Sequence, residues 1–182
     1  MQGSAATRTT RRFVNVATSR LGLALDNNGV GGTLSTETAA MVTASPPTTA
    51  DFYVLMTGLN DARRYGWKSA ALDDYGIAVG AIVGALIARS PRAEVVAVAQ
   101  PHLGDYSQHA PYDRSSDDLV DAYNRRLEEI TGRCPQVRLA TAERWDVRTM
   151  LAADTVHPND LGHRELARAL GRALTGAGWL RP

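Results

Sequence analysis

Three short apolar runs constrain the fold of this chain more than any other feature of its sequence. They read FYVLMTG over residues 52–58, AEVVAVAQ over 93–100 and QVRLAT over 136–141. The first two runs lack polar alternation, which is typical of strands buried on both faces of a parallel sheet. The third, which contains Arg138, is also predicted to be a strand. Between them lie longer segments with helical spacing, over residues 68–90 and 116–131. This alternation predicts an α/β fold, a three-layer α/β/α sandwich around a parallel sheet.

Further elements complete the predicted alternation. They are helices over residues 10–21, 35–44 and 158–178, and a short strand over residues 21–28 that reads LGLALDNN. Ser35 or Thr36 is the predicted cap of the second of these helices, because both side chains carry an acceptor oxygen. In open parallel sheets ligands bind at the carboxyl ends of the strands, so polar residues that follow a strand are the candidates for a functional site.

Composition excludes several classes of partner. The 182 residues fit one domain spanning 1–182, and the formal net charge of +1 gives no basic field for a nucleic acid. The single cysteine, Cys134, excludes an internal disulfide and a cysteine-built metal centre. No apolar run has the length of a membrane span or of a secretory signal, so we expect a cytoplasmic protein without a membrane partner.

Three polar clusters carry residues suited to acyl chemistry. In DTVHPN, over residues 154–159, His157 can act as a general base if the carboxylate of Asp154 orients its ring. Asn60 follows a predicted buried strand and offers an amide donor, while Gly32 allows close approach to its backbone N–H. Two donors aimed at one oxygen form an oxyanion hole.

The chain resembles the SGNH (GDSL-type) hydrolases in these same clusters. GLND at residues 58–61 is similar to the third sequence block of that family, DTVHPN to the fifth, and NNGVGGT at residues 27–33 to the second. The resemblance implies a flavodoxin-like α/β hydrolase with a serine nucleophile, the pair of Asp154 and His157, and an oxyanion hole. It implies no metal and no organic cofactor.

The first sequence block of the family is where this chain departs from the pattern. The resemblance places the nucleophile at Ser4, with Gln2 and Gly3 where the family carries glycine and aspartate. The family also has a central strand before its serine, and three residues are too few to form one. We therefore expect that this first central strand is missing or replaced. The oxyanion hole would use the N–H groups of Ser4 and Gly32 with the side chain of Asn60.

These observations favour a serine esterase acting on small acyl esters of sugars or secondary metabolites. Two alternatives stay open: an acyltransferase or cyclase that uses the His157 and Asp154 pair without serine hydrolysis, and a non-catalytic binding module. The partner is a small-molecule ester in the leading interpretation, and a homo-oligomer is left open. Other polar or aromatic side chains could line the pocket, namely those of His102, Tyr106, His109, Tyr112 and Trp145.

Overall fold

A computed structural model describes residues 5–176 of the chain, and Ser4 therefore lies outside the described residues. The described residues form two compact units. The sheet unit comprises Gly32–Gln100 and Tyr106–Leu139. The terminal unit comprises the residues up to Gly31, the segment Pro101–Asp105 and the residues from Ala140 onward.

The sheet unit is built on three strands in the order β1-β2-β3. They are β1 (Phe52–Leu55), β2 (Glu94–Val98) and β3 (Val137–Ala140), whose last residue lies at the boundary of the unit. β1 and β2 run parallel, in a register that aligns Phe52 with Glu94 and Leu55 with Ala97. The three apolar runs of the sequence are therefore the strands, as predicted, and the fold is α/β with a parallel sheet.

Four helices accompany these strands in the sheet unit. They are α2 (Ser35–Ala44), α3 (Leu59–Tyr65), α4 (Ser69–Arg89) and α5 (Asp117–Thr131). The side chain of Ser116 caps α5 by accepting from the backbone N–H of Leu119 at 3.2 Å. Within residues 5–176, α4 alone is long and apolar enough to cross a membrane by length and composition. Its apolar face, with Val79, Ile82 and Leu86, lies in the core against the sheet, and this packing accounts for its composition.

The terminal unit packs two helices against each other. They are α1 (Phe13–Leu21), which follows a 3₁₀ turn at Thr9–Arg11, and α6 (Asp160–Gly176). The ring of Phe13 stacks on that of His163 at 6.4 Å between centroids. Both side chains are almost fully buried, so His163 belongs to this core and is not a catalytic candidate.

The predicted strand over residues 21–28 is wrong. Leu21 ends α1, and the residues from 22 to 34 form neither helix nor strand in the described chain. Leu25 is 38% exposed, so its side chain is only partly removed from solvent. The apolar residues of LGLALDNN, followed by turn residues, are typical of a short strand, but a strand is stable only where a neighbouring strand pairs with it.

Candidate active site

Asp154 and His157 lie together in a turn just before α6. A distance of 2.7 Å joins Oδ2 of Asp154 to Nδ1 of His157. The other carboxylate oxygen accepts from the backbone N–H groups of Val156 at 3.0 Å and His157 at 2.9 Å. The turn is closed by the N–H of Ala152, which donates to the His157 carbonyl at 2.8 Å. The contact that the spacing of Asp154 and His157 predicted is confirmed.

The hydrogen bonds around Asp154 fix its charge. Partial burial of the carboxyl opposes ionisation and raises the pKa of Asp154. Hydrogen bonds from the backbone N–H and the ring of His157 and from the N–H of Val156 outweigh this effect, so the pKa is lowered. An ionised carboxylate only accepts hydrogen bonds. Nδ1 of His157 therefore carries a hydrogen and donates a hydrogen bond to Asp154. Nε2 of the neutral ring is then left as the basic nitrogen.

Asn159 holds this turn against the start of α6. Its side-chain amide donates to the carbonyls of Thr149 and Leu151, both at 2.9 Å. Its carbonyl oxygen accepts from the N–H groups of Leu161 at 2.8 Å and Gly162 at 3.1 Å, which satisfies donors in the first turn of the helix. The sequence analysis missed this role, although an asparagine just before a helical pattern is a known capping signal.

Two of the predicted oxyanion residues, Gly32 and Asn60, lie in the sheet unit. Nδ2 of Asn60 donates to the carbonyl of Thr33 at 3.0 Å, so its amide lies beside the residue that follows Gly32. Gly32 has a φ of +82°, a conformation that side-chain-bearing residues rarely adopt. Nothing lies within 4 Å of the position a Cβ would take there, so backbone geometry and not lack of space requires glycine.

Asp61 ties the GLND segment to the start of α2. Its carboxylate accepts from the backbone N–H of Ser35 at 3.1 and 3.0 Å and from the Ser35 hydroxyl. Burial raises the pKa of Asp61 against the opposing effect of these bonds. Ser35 was a predicted helix cap, but it is the first helical residue and its hydroxyl binds Asp61. The N–H of Leu34 instead donates to the side chain of Glu37 at 2.8 Å.

The side chains predicted to line a pocket have structural contacts. The ring of Tyr112 lies under the guanidinium groups of Arg63 and Arg64, at 5.9 and 5.6 Å. The hydroxyl of Tyr106 donates to Asp117 at 2.8 Å. In the terminal unit, the indole N–H of Trp145 donates to the backbone carbonyl of His102 at 2.9 Å. His109 lies exposed with a φ of +69°.

Known proteins share the α/β fold of this chain. A model of the GDSL-like Lipase/Acylhydrolase family matches residues 1–165. The chain belongs to this family, and the family classes it as an ester hydrolase. A search of curated proteins found no sequence match.

Solved structures support the same fold. A possible lipase from Chitinophaga pinensis DSM 2588 is 17% identical, with a TM-score of 0.71, 91% of this chain covered and 88% of the other. A carbohydrate esterase family 3 protein from Talaromyces cellulolyticus is 19% identical, with a TM-score of 0.66 and coverages of 96% and 92%. The salicylyl-acyltransferase SsfX3 from a tetracycline biosynthetic pathway is 17% identical with a TM-score of 0.68; the match covers 97% of this chain and 52% of that one.

The lowered pKa of Asp154 predicts how its replacement depends on pH. A carboxyl whose pKa is lower in the folded than in the unfolded chain adds stability above its ordinary value of 3.8 and loses it as the pH falls through the folded pKa. Asp154→Asn is therefore expected to be less stable than wild type at pH 7, and the two are expected to converge in stability as the pH falls below the folded pKa of Asp154. Urea unfolding across this range measures the difference. Asp73→Asn, at an exposed position of α4, is the control.

Proposed function

We propose that the chain is a serine esterase in which Ser4 is the nucleophile and His157 the general base. The observation that carries this proposal is the 2.7 Å contact between Asp154 and His157, with the second oxygen of Asp154 held by two backbone N–H groups. A histidine with an ionised partner at Nδ1 and a basic Nε2 can take a proton from a serine hydroxyl. The assignment of Ser4 rests on the family resemblance.

The reaction has two steps in this proposal. Oγ of Ser4 attacks the acyl carbon while Nε2 of His157 takes the hydroxyl proton, and the proton then passes to the departing alcohol as the ester C–O bond breaks. A water molecule, deprotonated by His157, attacks the acyl-serine and releases the acid, and the proton returns to Ser4. Asp154 stays ionised throughout and stabilises the charged imidazole ring.

The proposed oxyanion donors are the N–H groups of Ser4 and Gly32 and the side-chain amide of Asn60. A primary amide has two donor hydrogens. One hydrogen of Asn60 is used on the Thr33 carbonyl, which fixes the plane of the amide. The second is then available for the oxyanion, from a side chain that needs no reorganisation during the reaction.

Labelling with a fluorophosphonate probe, followed by intact-mass spectrometry, tests the nucleophile. We expect a single adduct on wild type that is lost in Ser4→Ala. The control is Ser19→Ala, at an exposed position of α1, which is expected to label as wild type does. Absence of an adduct on folded wild type would overturn the serine esterase and favour a non-catalytic binding module.

Replacing Asn60 tests the oxyanion hole. We expect Asn60→Ala to lower kcat by about 10²–10³-fold with a much smaller change in KM, the usual effect of removing one oxyanion donor. The control is Asn124→Ala, because the side-chain amide of Asn124 also bonds to backbone, with two bonds to Gln100 at 2.8 Å where Asn60 has one to Thr33. If both variants lose activity in proportion to their loss of stability, Asn60 is only a structural residue.

The proposed substrates are esters with small acyl groups. Membership of the family indicates that the substrate is an ester. The structural likeness to a carbohydrate esterase favours sugar esters among the candidate substrates. Initial rates on p-nitrophenyl acetate and p-nitrophenyl dodecanoate, and acetate release from an acetylated sugar, test this choice. A preference for the dodecanoate would contradict it.

Acyl transfer is the second candidate function. It is favoured by the likeness to the salicylyl-acyltransferase, which has the same fold over most of this chain. In transfer, an acceptor alcohol replaces water in the second step and His157 deprotonates that alcohol. Product analysis in the presence of a range of alcohols separates the two, because a transferase forms a new ester faster than it releases free acid.

A further inference from the structure

Asp160 joins two segments of the terminal unit that are far apart in the sequence. Its Oδ1 accepts from the backbone N–H of Thr7 at 3.0 Å, and its Oδ2 accepts from the Thr7 hydroxyl at 2.8 Å. The guanidinium of Arg11 donates to Oδ2 at 2.5 Å. The carboxylate therefore binds three donors from the stretch that leads into α1, across a separation of about 150 residues.

The two joined segments are those to which the proposed function assigns its reacting groups. Asp160 is the first residue of α6 and follows His157 by three positions. Thr7 follows Ser4 by three positions. Three residues span about 10 Å at most, so a tether at these points limits how far Ser4 and His157 can separate.

We infer that Asp160 is a positioning residue, which holds the segment that carries Ser4 against the turn that carries His157. This inference rests on the proposed function, because it takes Ser4 as the nucleophile. It concerns placement of the nucleophile and not contact with the substrate. Thr7 and Arg11 are the partners through which Asp160 acts.

The carboxyl group of Asp160 stays ionised, so its hydrogen bonds to Thr7 and Arg11 persist across the working pH range. The backbone N–H of Thr7, then the guanidinium of Arg11 and the Thr7 hydroxyl hold the pKa of Asp160 well below its ordinary range. The carboxylate is therefore ionised at every pH at which a histidine base works. It also lies in the first turn of α6, where the helix dipole favours a negative charge.

The exposure of this pair argues for a role other than stability. The Arg11 side chain is 52% exposed and that of Asp160 16% exposed, and an ion pair with one solvent-screened partner contributes little to the free energy of unfolding. The three hydrogen bonds nevertheless fix the orientation of the Asp160 carboxylate, because Thr7 and Arg11 between them bind both of its oxygens. The expected consequence is a fixed position for Thr7, and the placement of reacting groups affects the rate of catalysis more than it affects folding.

A graded set of variants tests the inference. Asp160→Ala removes all three bonds, whereas Asp160→Asn keeps one carbonyl acceptor for Thr7 and cannot accept from Arg11 through its amide nitrogen. We expect Asp160→Ala to lower kcat about tenfold with KM within twofold, because a small displacement of a reacting group has effects of this order or larger. Asp160→Asn is expected to lie between Asp160→Ala and wild type.

Variants of the partner residue supply the controls. Arg11→Ala is expected to lower kcat, and Arg11→Lys, which keeps the charge, to restore part of it. Arg8→Ala removes an exposed arginine three positions away and is expected to leave kcat unchanged. In the Asp160→Ala background Arg11→Ala is expected to add no further loss, since the two residues act as one unit.

The rate of fluorophosphonate labelling separates the failure of this inference from that of the proposed function. Absence of an adduct on wild type would overturn the serine esterase itself. An adduct that forms on wild type and on Asp160→Ala at the same rate would overturn the positioning role alone. Slower labelling of Asp160→Ala, together with faster amide hydrogen exchange over residues 5–12 and unchanged global stability, is the result expected.

Discussion

Replacing His157 with alanine is expected to lower kcat on p-nitrophenyl acetate by about 10⁶-fold, the loss that follows removal of the base of a serine triad. The reason is that no other group would take the proton of the proposed Ser4 nucleophile. The side chain of His157 is 43% exposed, so its removal leaves little buried surface unfilled. The melting temperature is therefore expected to stay close to that of wild type.

Asp154→Asn gives the graded companion to that measurement. An amide can accept from the backbone N–H groups of Val156 and His157 but cannot stabilise a charged ring, so kcat is expected to fall about 10²–10⁴-fold. In the double variant with His157→Ala, the further loss is expected to be small, because the two residues act as a unit. A His157→Ala variant that keeps a tenth or more of wild-type kcat would exclude the serine esterase.

Replacing Gly162 with alanine is expected to destabilise the chain by about 3 kcal/mol, at the upper end of the effect of overpacking. A Cβ at this position of α6 would lie 2.3 Å from the backbone oxygen of Met150, and 3.0 Å from the Trp145 ring. Backbone cannot move aside as the end of a flexible side chain can. The Met150 carbonyl also accepts from the N–H of Asn159 at 3.0 Å, so its displacement disturbs the turn that follows His157.

Gly171→Ala is the matched control on the same helix. Nothing lies within 4 Å of the Cβ that alanine would add at Gly171. Glycine within a helix is destabilising by about 0.5–1 kcal/mol relative to alanine, so this variant is expected to be more stable than wild type. Urea unfolding of both variants measures the contrast. If Gly162→Ala and Gly171→Ala change the free energy of unfolding alike, the close contact with Met150 is not a constraint.

Patterns local in the sequence predicted the parts of the structure that are locally determined. The three runs became β1, β2 and β3, but only β2 is buried along nearly its whole length. Val54 of β1 and Arg138 of β3 are exposed, so the prediction that β1 is buried on both faces was wrong. The contact of Asp154 with His157 followed from their spacing of three residues in a turn. The helix over residues 68–90 was found at Ser69–Arg89, since a long and largely apolar segment ended by a proline-containing turn has few other conformations.

Contacts that join distant residues had no signature in the sequence. Nothing near Asp160 indicates that it binds Thr7 and Arg11, because these residues are about 150 positions away. In the same way, serine is a residue type favoured at helix caps, which is why Ser35 was predicted to be one. Its hydroxyl instead donates to the buried carboxylate of Asp61, 26 positions later. The strand predicted over residues 21–28 was wrong because periodicity alone cannot show whether a pairing partner exists.

The contacts of Asn60 and Asp61 at the start of α2 mark the boundary between a bonded segment and an exposed loop. Asn60 and Asp61 hold Thr33 and Ser35, whereas the residues before Gly32 are mostly exposed and belong to no helix or strand of the described chain. Such a loop can be exchanged for loops of other length and composition without loss of the elements that flank it. Grafting at residues 23–30 is therefore the natural starting point for a library that alters the preference of this hydrolase among esters.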